Sequence, residues 1–303
     1  MKIIYGKPHA GGGNFGDDMN VFLWPSLFGN DIFQKQDHIS FLGIGTMLSD
    51  DSVYNKDWWN SNKVVFGTGI RSNSRNFNID KTFNLMFLRG PLSRSFIGQG
   101  DYITDAAYCF LLSQLYNNVK YVEKTHEIGL IPYFRSMNIV NWERIAKETN
   151  MYLISPCTDD KRSALDVVKE IASCKYIVTE AMHGAIFADI LRIPWSRFIF
   201  STYKYEQANV ADFKWMDWMY SMDLKHELFP IIPLTCKINN AVYRLSNQNI
   251  EFKYIFKSFI EPKIIDTLTS CKYNCQLSNE VVLDKKLVLL SNEMEKFISL
   301  YIK

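Results

Sequence analysis

The chain has 303 residues, 47% hydrophobic and 22% charged, with a formal net charge of +2. That balance describes a globular protein large enough for two domains, with no bulk attraction for nucleic acid. No apolar run reaches the ~18 residues that span a bilayer, and the start, MKIIYGKPHAGGG, lacks the apolar core of a secretory signal, so a cytoplasmic setting is expected.

Residues Lys2 to Tyr5 read as a first strand. A glycine loop follows, Gly11 to Gly16, and then a helix from about Asp17 to Leu27. HISFLGIGTML carries a second strand that ends in a Gly-x-Gly turn at Gly43 and Gly45. KVVFGTGI repeats the arrangement with Gly67 and Gly69, and FNLMFLRGPLS repeats it with Arg89 at the strand end and Pro91 set for a first helical turn. Apolar strands ending in glycine or charged turns are the pattern of a parallel sheet covered on both faces. TDAAYCFLL, from Thr104, closes this part.

The second half alternates strands and helices in the order HEIGLIPYF, MNIVNWERIAKETN, MYLISP, DKRSALDVVKEIASC, KYIVTEA, HGAIFADILR and PWSRFIF. This β-α-β-α-β-α-β series predicts a Rossmann-like unit. The expected fold is α/β, with two Rossmann-like domains facing a cleft. Residues 1–115 form the first domain, 116–235 the second and 236–303 a C-terminal extension. In the extension IEFKYIFKSF suits either strand or helix. The final segment has Leu287, Leu290, Met294, Phe297, Ile298 and Tyr301 on one face of a helix, suited to packing on the core or to lying on a membrane surface.

The six cysteines do not suggest a disulfide framework. Cys109, Cys157, Cys174 and Cys236 sit at apolar or segment-end positions and read as buried thiols. Cys271 and Cys275 have no matching Cys or His pair for zinc, and no metal or cofactor is expected.

The chemistry gathers around TEAMHGAIFADILRIPW, where strand turns into helix. His183 at such a junction suits acid chemistry on an anion, because strand ends and helix starts are where open α/β sheets place ligands. Gly184 permits close approach of a substrate, and Glu180 can orient or charge the imidazole or cap the helix. Arg89 can grip a carboxylate or phosphate, or pair with an acid such as Asp105. Gly11 to Gly16 satisfies a dinucleotide pattern, but Asp17 and Asp18 follow it and would repel a pyrophosphate. Lys214, Trp215, Asp217 and Trp218 suit either a sugar platform or a helix packed on the core.

Seven segments in this order resemble the polysaccharide pyruvyltransferase family, in its exopolysaccharide ketal-forming branch. They are GNFGDDMN, LGIGTML, VFGTGI, LRGPLS, TDAA, EAMHGAIFADILRIPW and KWMDW, within about residues 1–225. The resemblance implies a GT-B-like pair of domains, the acceptor on the first and the donor on the second. It implies transfer of pyruvate from phosphoenolpyruvate to a hexose of a surface polysaccharide or its precursor, as a cyclic ketal bridging O4 and O6, with release of phosphate. Phosphoenolpyruvate is then a co-substrate, and the sugar acceptor can be a lipid-linked oligosaccharide, giving the terminal helix a peripheral membrane role at the inner face.

By the same resemblance His183 and Arg89 engage the donor, with His183, as an imidazolium, protonating its methylene carbon. The base that deprotonates the acceptor is sought among Asp17, Asp18 and Asp105, with Asp18 taken as catalytic. Asn14, Gly16, Asp17, Gly45, Gly69, Asp105, Arg135, Glu180, Met182, Gly184, Lys214 and Trp215 are expected to bind substrate. Several members carry an arginine two residues before the histidine, where this chain has Ala181. A second cation must come from elsewhere, with Arg135, Arg192 and Lys214 as candidates. The alternative activity is a GT-B glycosyltransferase using a nucleotide sugar. A non-enzymatic alternative is a sugar-binding subunit of a capsule-assembly complex.

Overall fold

The computed structural model describes residues 1–6, 13–34, 38–50, 58, 60–74, 76–227, 229–232, 250–270 and 275–302. The glycines Gly11 and Gly12, and the cysteines Cys236 and Cys271, lie outside them. The fold is α/β and is built on two four-stranded parallel sheets.

The first sheet sets Lys2–Ile4, Ile39–Leu42, Asn62–Phe66 and Phe83–Phe87 side by side, in chain order and all parallel. The second has the order Trp195–Arg197, Cys174–Thr179, His126–Ile131, Tyr152–Leu153, again all parallel. Covered on both faces, the central strands are continuous apolar runs: Val64, Val65 and Phe66 in one sheet and Ile177 and Val178 in the other are buried. Parallel neighbours need crossovers, and the helices Ala164–Ala172 and Met182–Ile190 supply them in the second sheet. Ser163 and Asp166 start the former as a reciprocal capping box.

The two halves are stitched together. Gly13–Asn14 pairs antiparallel with Cys157–Thr158, and the Phe15 amide donates to the Pro156 carbonyl at 3.0 Å. The Phe15 ring is fully buried, 5.8 Å from that of Phe187. This anchor explains why the helical turn begins at Phe15 and not at Asp17 as expected: the buried ring draws the backbone inward two residues early. A second helix, Asn20–Phe28, follows at once.

The IEFKYIFKSF segment lies in a helix, Ile250–Ser270, which buries Ile260, Ile264 and Leu268. The last helix, Glu280–Tyr301, returns to the first sheet. Its Phe297 ring lies 4.3 Å from Phe28 and 5.5 Å from Phe41, and Asn84 Nδ2 donates to the Tyr301 hydroxyl at 2.7 Å. Leu290 and Phe297, from the apolar face that suited a membrane surface, are thus packed into the core, with Leu287, Met294 and Tyr301 partly buried against it and Ile298 exposed. Among the described residues no helix is long and apolar enough to cross a membrane. The described cysteines are free thiols; Cys109 and Cys174 are buried, Cys157 is partly buried, and Cys275 is exposed.

Candidate active site

The carboxyl ends of both sheets converge on one cavity of about 180 Å³. The first half contributes Gly6, Gly45, Thr46, Met47 and Arg71, each just beyond a strand end. Asn14 and Asp17 join them from the stitched turn. The second half contributes Tyr133, Phe134 and Arg135 after the His126–Ile131 strand, and Glu180, Ala181, Met182 and His183 after Cys174–Thr179. Tyr205, Glu206 and Lys214 close the far wall. Strand ends in parallel α/β sheets place ligands in this way because the backbone there leaves the ladder and frees its side chains.

The turn that carries His183 is built by its neighbours. The Thr179 hydroxyl bonds both the amide and the carbonyl of Ala181. The Glu180 carboxylate receives the amides of Phe200, Ser201 and Thr202, both hydroxyls of the last two, and the Tyr133 amide at 3.4 Å. Glu180 is therefore a clamp that ties three strand ends together and caps the helix Thr202–Glu206, and it makes no hydrogen bond to His183. All nine residues of the helix Met182–Ile190 are buried. A Cβ at Gly184 would lie 2.5 Å from Thr179 Oγ1, so this glycine serves close helix-on-strand packing, not substrate approach.

His183 is 7% exposed, and its Nε2 has no hydrogen-bond partner among the described residues. Gly16 lies flat against the ring; a Cβ there would run into Nδ1. Burial, with Lys214 and Arg89 nearby, pushes the imidazole down to about 3. A dry environment and two cations thus both oppose the imidazolium expected from sequence and favour a neutral His183.

Asp17 is the opposite case. Its Oδ2 accepts from Asn14 Nδ2 at 3.1 Å, and no partner holds Oδ1 among the described residues. Burial pushes its carboxyl up to about 7, against the pull of Lys214. Glu206 accepts from Lys214 Nζ at 2.5 Å and from the Tyr133 hydroxyl at 2.9 Å; these partners hold it below the usual carboxylate range. Arg135 is exposed, 5.5 Å over the Phe134 ring and 5.7 Å over that of Tyr205, with no acidic partner among the described residues.

Other expected site residues lie behind the cavity wall. Arg89 is fully buried: its Nε donates to Asp217 Oδ2 at 3.0 Å and its Nη1 to Thr46 Oγ1 at 2.8 Å. Its expected grip on the donor is replaced by a structural ion pair, with Asp217 and not Asp105 as partner. Gly69 packs on that guanidinium. Asp105 is buried and caps the turn at Ala107, its amide donating to Oδ1 at 3.0 Å. Asp18 accepts from the Thr158 hydroxyl and is not on the cavity lining, whereas Asp17 is.

Trp215 is fully buried among Trp195 and Trp218, with Arg197 stacked 4.4 Å over it. It is core, not a sugar platform. Arg192 donates to Ser278 and is likewise off the lining, leaving Arg135 and Lys214 of the three candidate cations. Sequence reasoning missed Arg71, Thr46 and Glu206. Arg71 stood one residue past the VFGTGI strand, where the strand-end rule points; Glu206 sits in no motif, and only the fold brings it in.

The chain matches the family model for polysaccharide pyruvyl transferase over residues 11–198. It is 26% identical over 227 residues to the succinoglycan biosynthesis protein ExoV of Rhizobium meliloti, covering 75% of this chain and 66% of that one. It is 28% identical over 153 residues to an uncharacterized protein of Acanthamoeba polyphaga mimivirus, covering 46% and 49%. The chain thus spans just under two thirds of the first relative and about half of the second. A solved structure of the wall teichoic acid polymerase TagF aligns over 93% of this chain and 94% of its own at 12% identity, but its TM-score of 0.30 is too low to establish a shared fold. With the model matched from the glycine loop through the His183 helix to the last strand of the second sheet, this chain belongs to the polysaccharide pyruvyl transferase family.

Proposed function

We propose that the protein transfers pyruvate from phosphoenolpyruvate to a hexose of a surface polysaccharide or its precursor, forming a cyclic ketal across O4 and O6 and releasing phosphate. Arg135 carries this reading: a cation without an acidic partner among the described residues, on the lining of a cavity it shares with Arg71, Lys214 and the unpartnered His183 Nε2. A cavity with such a lining favours a small, multiply charged anion, and guanidinium suits carboxylate and phosphate alike. The size supports the same donor. About 180 Å³ falls below the ~300–1,000 Å³ of clefts that hold drug-sized ligands, which disfavours a nucleotide sugar.

In this reading the donor lies against the second half, held by Arg135 and Lys214, and the acceptor approaches from the first half past Gly45 and Asn14. The two sheets then act as the two units of a GT-B-like arrangement, roughly 1–115 and 116–235. A lipid-linked acceptor sets the reaction at the cytoplasmic face of the membrane.

Donor binding stabilises the folded state by mass action. Phosphoenolpyruvate should therefore raise the melting temperature, and nucleotide sugars should not. Mass spectrometry of oligosaccharides from unpyruvylated succinoglycan and related glycans, incubated with enzyme and phosphoenolpyruvate, should find the mass of one pyruvate less one water. A shift with nucleotide sugars alone, or transfer of a hexose, sinks the reading in favour of a glycosyltransferase.

A further inference from the structure

The cavity holds two groups able to move a proton, and their surroundings differ. Asp17 has one oxygen held by Asn14 and the other without a partner among the described residues. Two glycines flank that carboxyl. A Cβ at Gly6 would lie 3.1 Å from Oδ2, and one at Gly45 would lie 3.5 Å from Oδ1. Walls without side chains leave room for a ligand against the carboxyl group. His183 lies against Gly16, next in the chain to Asp17, and presents an unpartnered Nε2.

Phosphoenolpyruvate brings a carboxylate and a phosphate into the cavity. A nearby anion stabilises the protonated form of a carboxyl group, so the bound donor favours a protonated Asp17. Burial is the main force that protonates Asp17, and its polar neighbours pull in both directions. Lys214 and the Asn14 hydrogen bond favour its charge, while Asp18 from its own turn and Glu206 oppose it; Tyr5, from the first strand's end, is a further titratable neighbour, and Arg71 and His183 share the cavity lining. Lys214 also binds Glu206, at 2.5 Å, so its charge is shared between the two carboxylates.

We propose that Asp17 is the acid of this site: its carboxyl gives a proton to the methylene carbon of bound phosphoenolpyruvate, while neutral His183 takes the proton of the attacking acceptor hydroxyl at Nε2. The assignment rests on the pyruvyl-transfer reading above and reverses the roles that the sequence suggested. The methylene becomes a methyl group, and the acceptor oxygen bonds to the adjacent carbon. The carbon–oxygen bond to phosphate then breaks, phosphate leaves with the electron pair, and the second hydroxyl closes the ketal. One hydroxyl proton replaces the proton given to carbon, and the other departs with phosphate. The sum is donor plus diol giving ketal plus hydrogen phosphate, with no oxidant, reductant or metal in the balance.

The test needs no acceptor. Phosphoenolpyruvate is titrated into the full chain at pH 8, where the phosphate is fully ionised, by calorimetry in buffers of differing ionisation enthalpy. Wild type should take up close to one proton per site. Asp17→Asn should bind the donor as tightly or more tightly and take up none, whereas His183→Gln should keep the uptake. With a glycan acceptor identified, Asp17→Asn should lose ~10²–10⁴-fold in kcat, and Asp17→Glu should retain partial activity with the alkaline limb of kcat/KM displaced. Uptake that persists in Asp17→Asn and vanishes in His183→Gln overturns the assignment, as does displacement of the acid limb in Asp17→Glu. Failure of wild type to bind phosphoenolpyruvate overturns the pyruvyl-transfer reading itself, and this assignment with it.

Discussion

Arg89 and Asp217, 128 residues apart in the chain, form a fully buried ion pair with Nε 3.0 Å from Oδ2. The same carboxylate accepts the amide and the hydroxyl of Ser93, at 2.8 and 2.6 Å. Gly90 must be glycine here, since a Cβ would run into the Asp217 carbonyl. LRGPLS and KWMDW are therefore two faces of one joint, which docks the Lys214-bearing helix Ala208–Ser221 on the first half. Through Thr46 Oγ1, Arg89 also holds the cavity's glycine turn.

Removing one partner of such a pair leaves a buried, uncompensated charge. Arg89→Ala should cost about 3–5 kcal/mol of stability, read by urea denaturation. Arg89→Met combined with Asp217→Leu should recover much of that loss. A stable Arg89→Ala variant with abolished phosphoenolpyruvate binding would restore Arg89 to the donor site.

Arg135 is the contrasting case, exposed and stacked only on aromatic rings. Loss of a charged hydrogen bond of about 1.5–3 kcal/mol weakens binding roughly 10- to 100-fold. Arg135→Ala should show that loss in the Kd for phosphoenolpyruvate while leaving the urea midpoint nearly unchanged. An unaltered Kd would remove Arg135 from the donor site.

Gly16 sets the position of His183. In Gly16→Ala the added methyl meets the imidazole at Nδ1 and forces the ring aside. A displacement on the order of 1 Å costs roughly 10²-fold in rate. Phosphate release with acceptor present should fall by about that factor in a variant that still unfolds cooperatively. Wild-type turnover would mean that His183 need not stand where it does.

Stability should depend on pH in two opposed ways. Asp17 is raised from 3.8 to about 7 on folding, so the folded state holds an extra proton between those values and stability is lost as pH rises through them. Asp17→Asn should therefore melt above wild type at pH 8, and the gain should vanish near pH 4. His183 is lowered from 6.5 to about 3, so the folded state holds fewer protons and stability is lost as pH falls below 6.5. His183→Gln should gain on wild type at pH 5 but not at pH 8. Thermal melts across that range read both, and a larger Asp17→Asn gain at pH 4 than at pH 8 would contradict the first.

The strands were legible because a parallel sheet buried on both faces leaves unbroken apolar runs, as in KVVF and KYIVT. The glycines and charged residues that follow those runs marked the strand ends, and with them Asp17, Gly45, Arg135, Glu180 and His183 as residues near a site. The register of the family's motifs was also sequence information, since it needs only order and spacing.

Which of these residues face the cavity was a tertiary matter. Arg89 and Arg71 both follow strands of the first sheet, yet Asp217, distant in sequence, draws Arg89 into the core while Arg71 lines the cavity. Trp215 and Lys214 are chain neighbours on one helix, and only the helix's docking angle buries the ring and leaves the ammonium at the site. The charge states were decided in the same way. Burial and long-range neighbours raise Asp17 and lower His183, and no local pattern of residues encodes how dry a folded site will be.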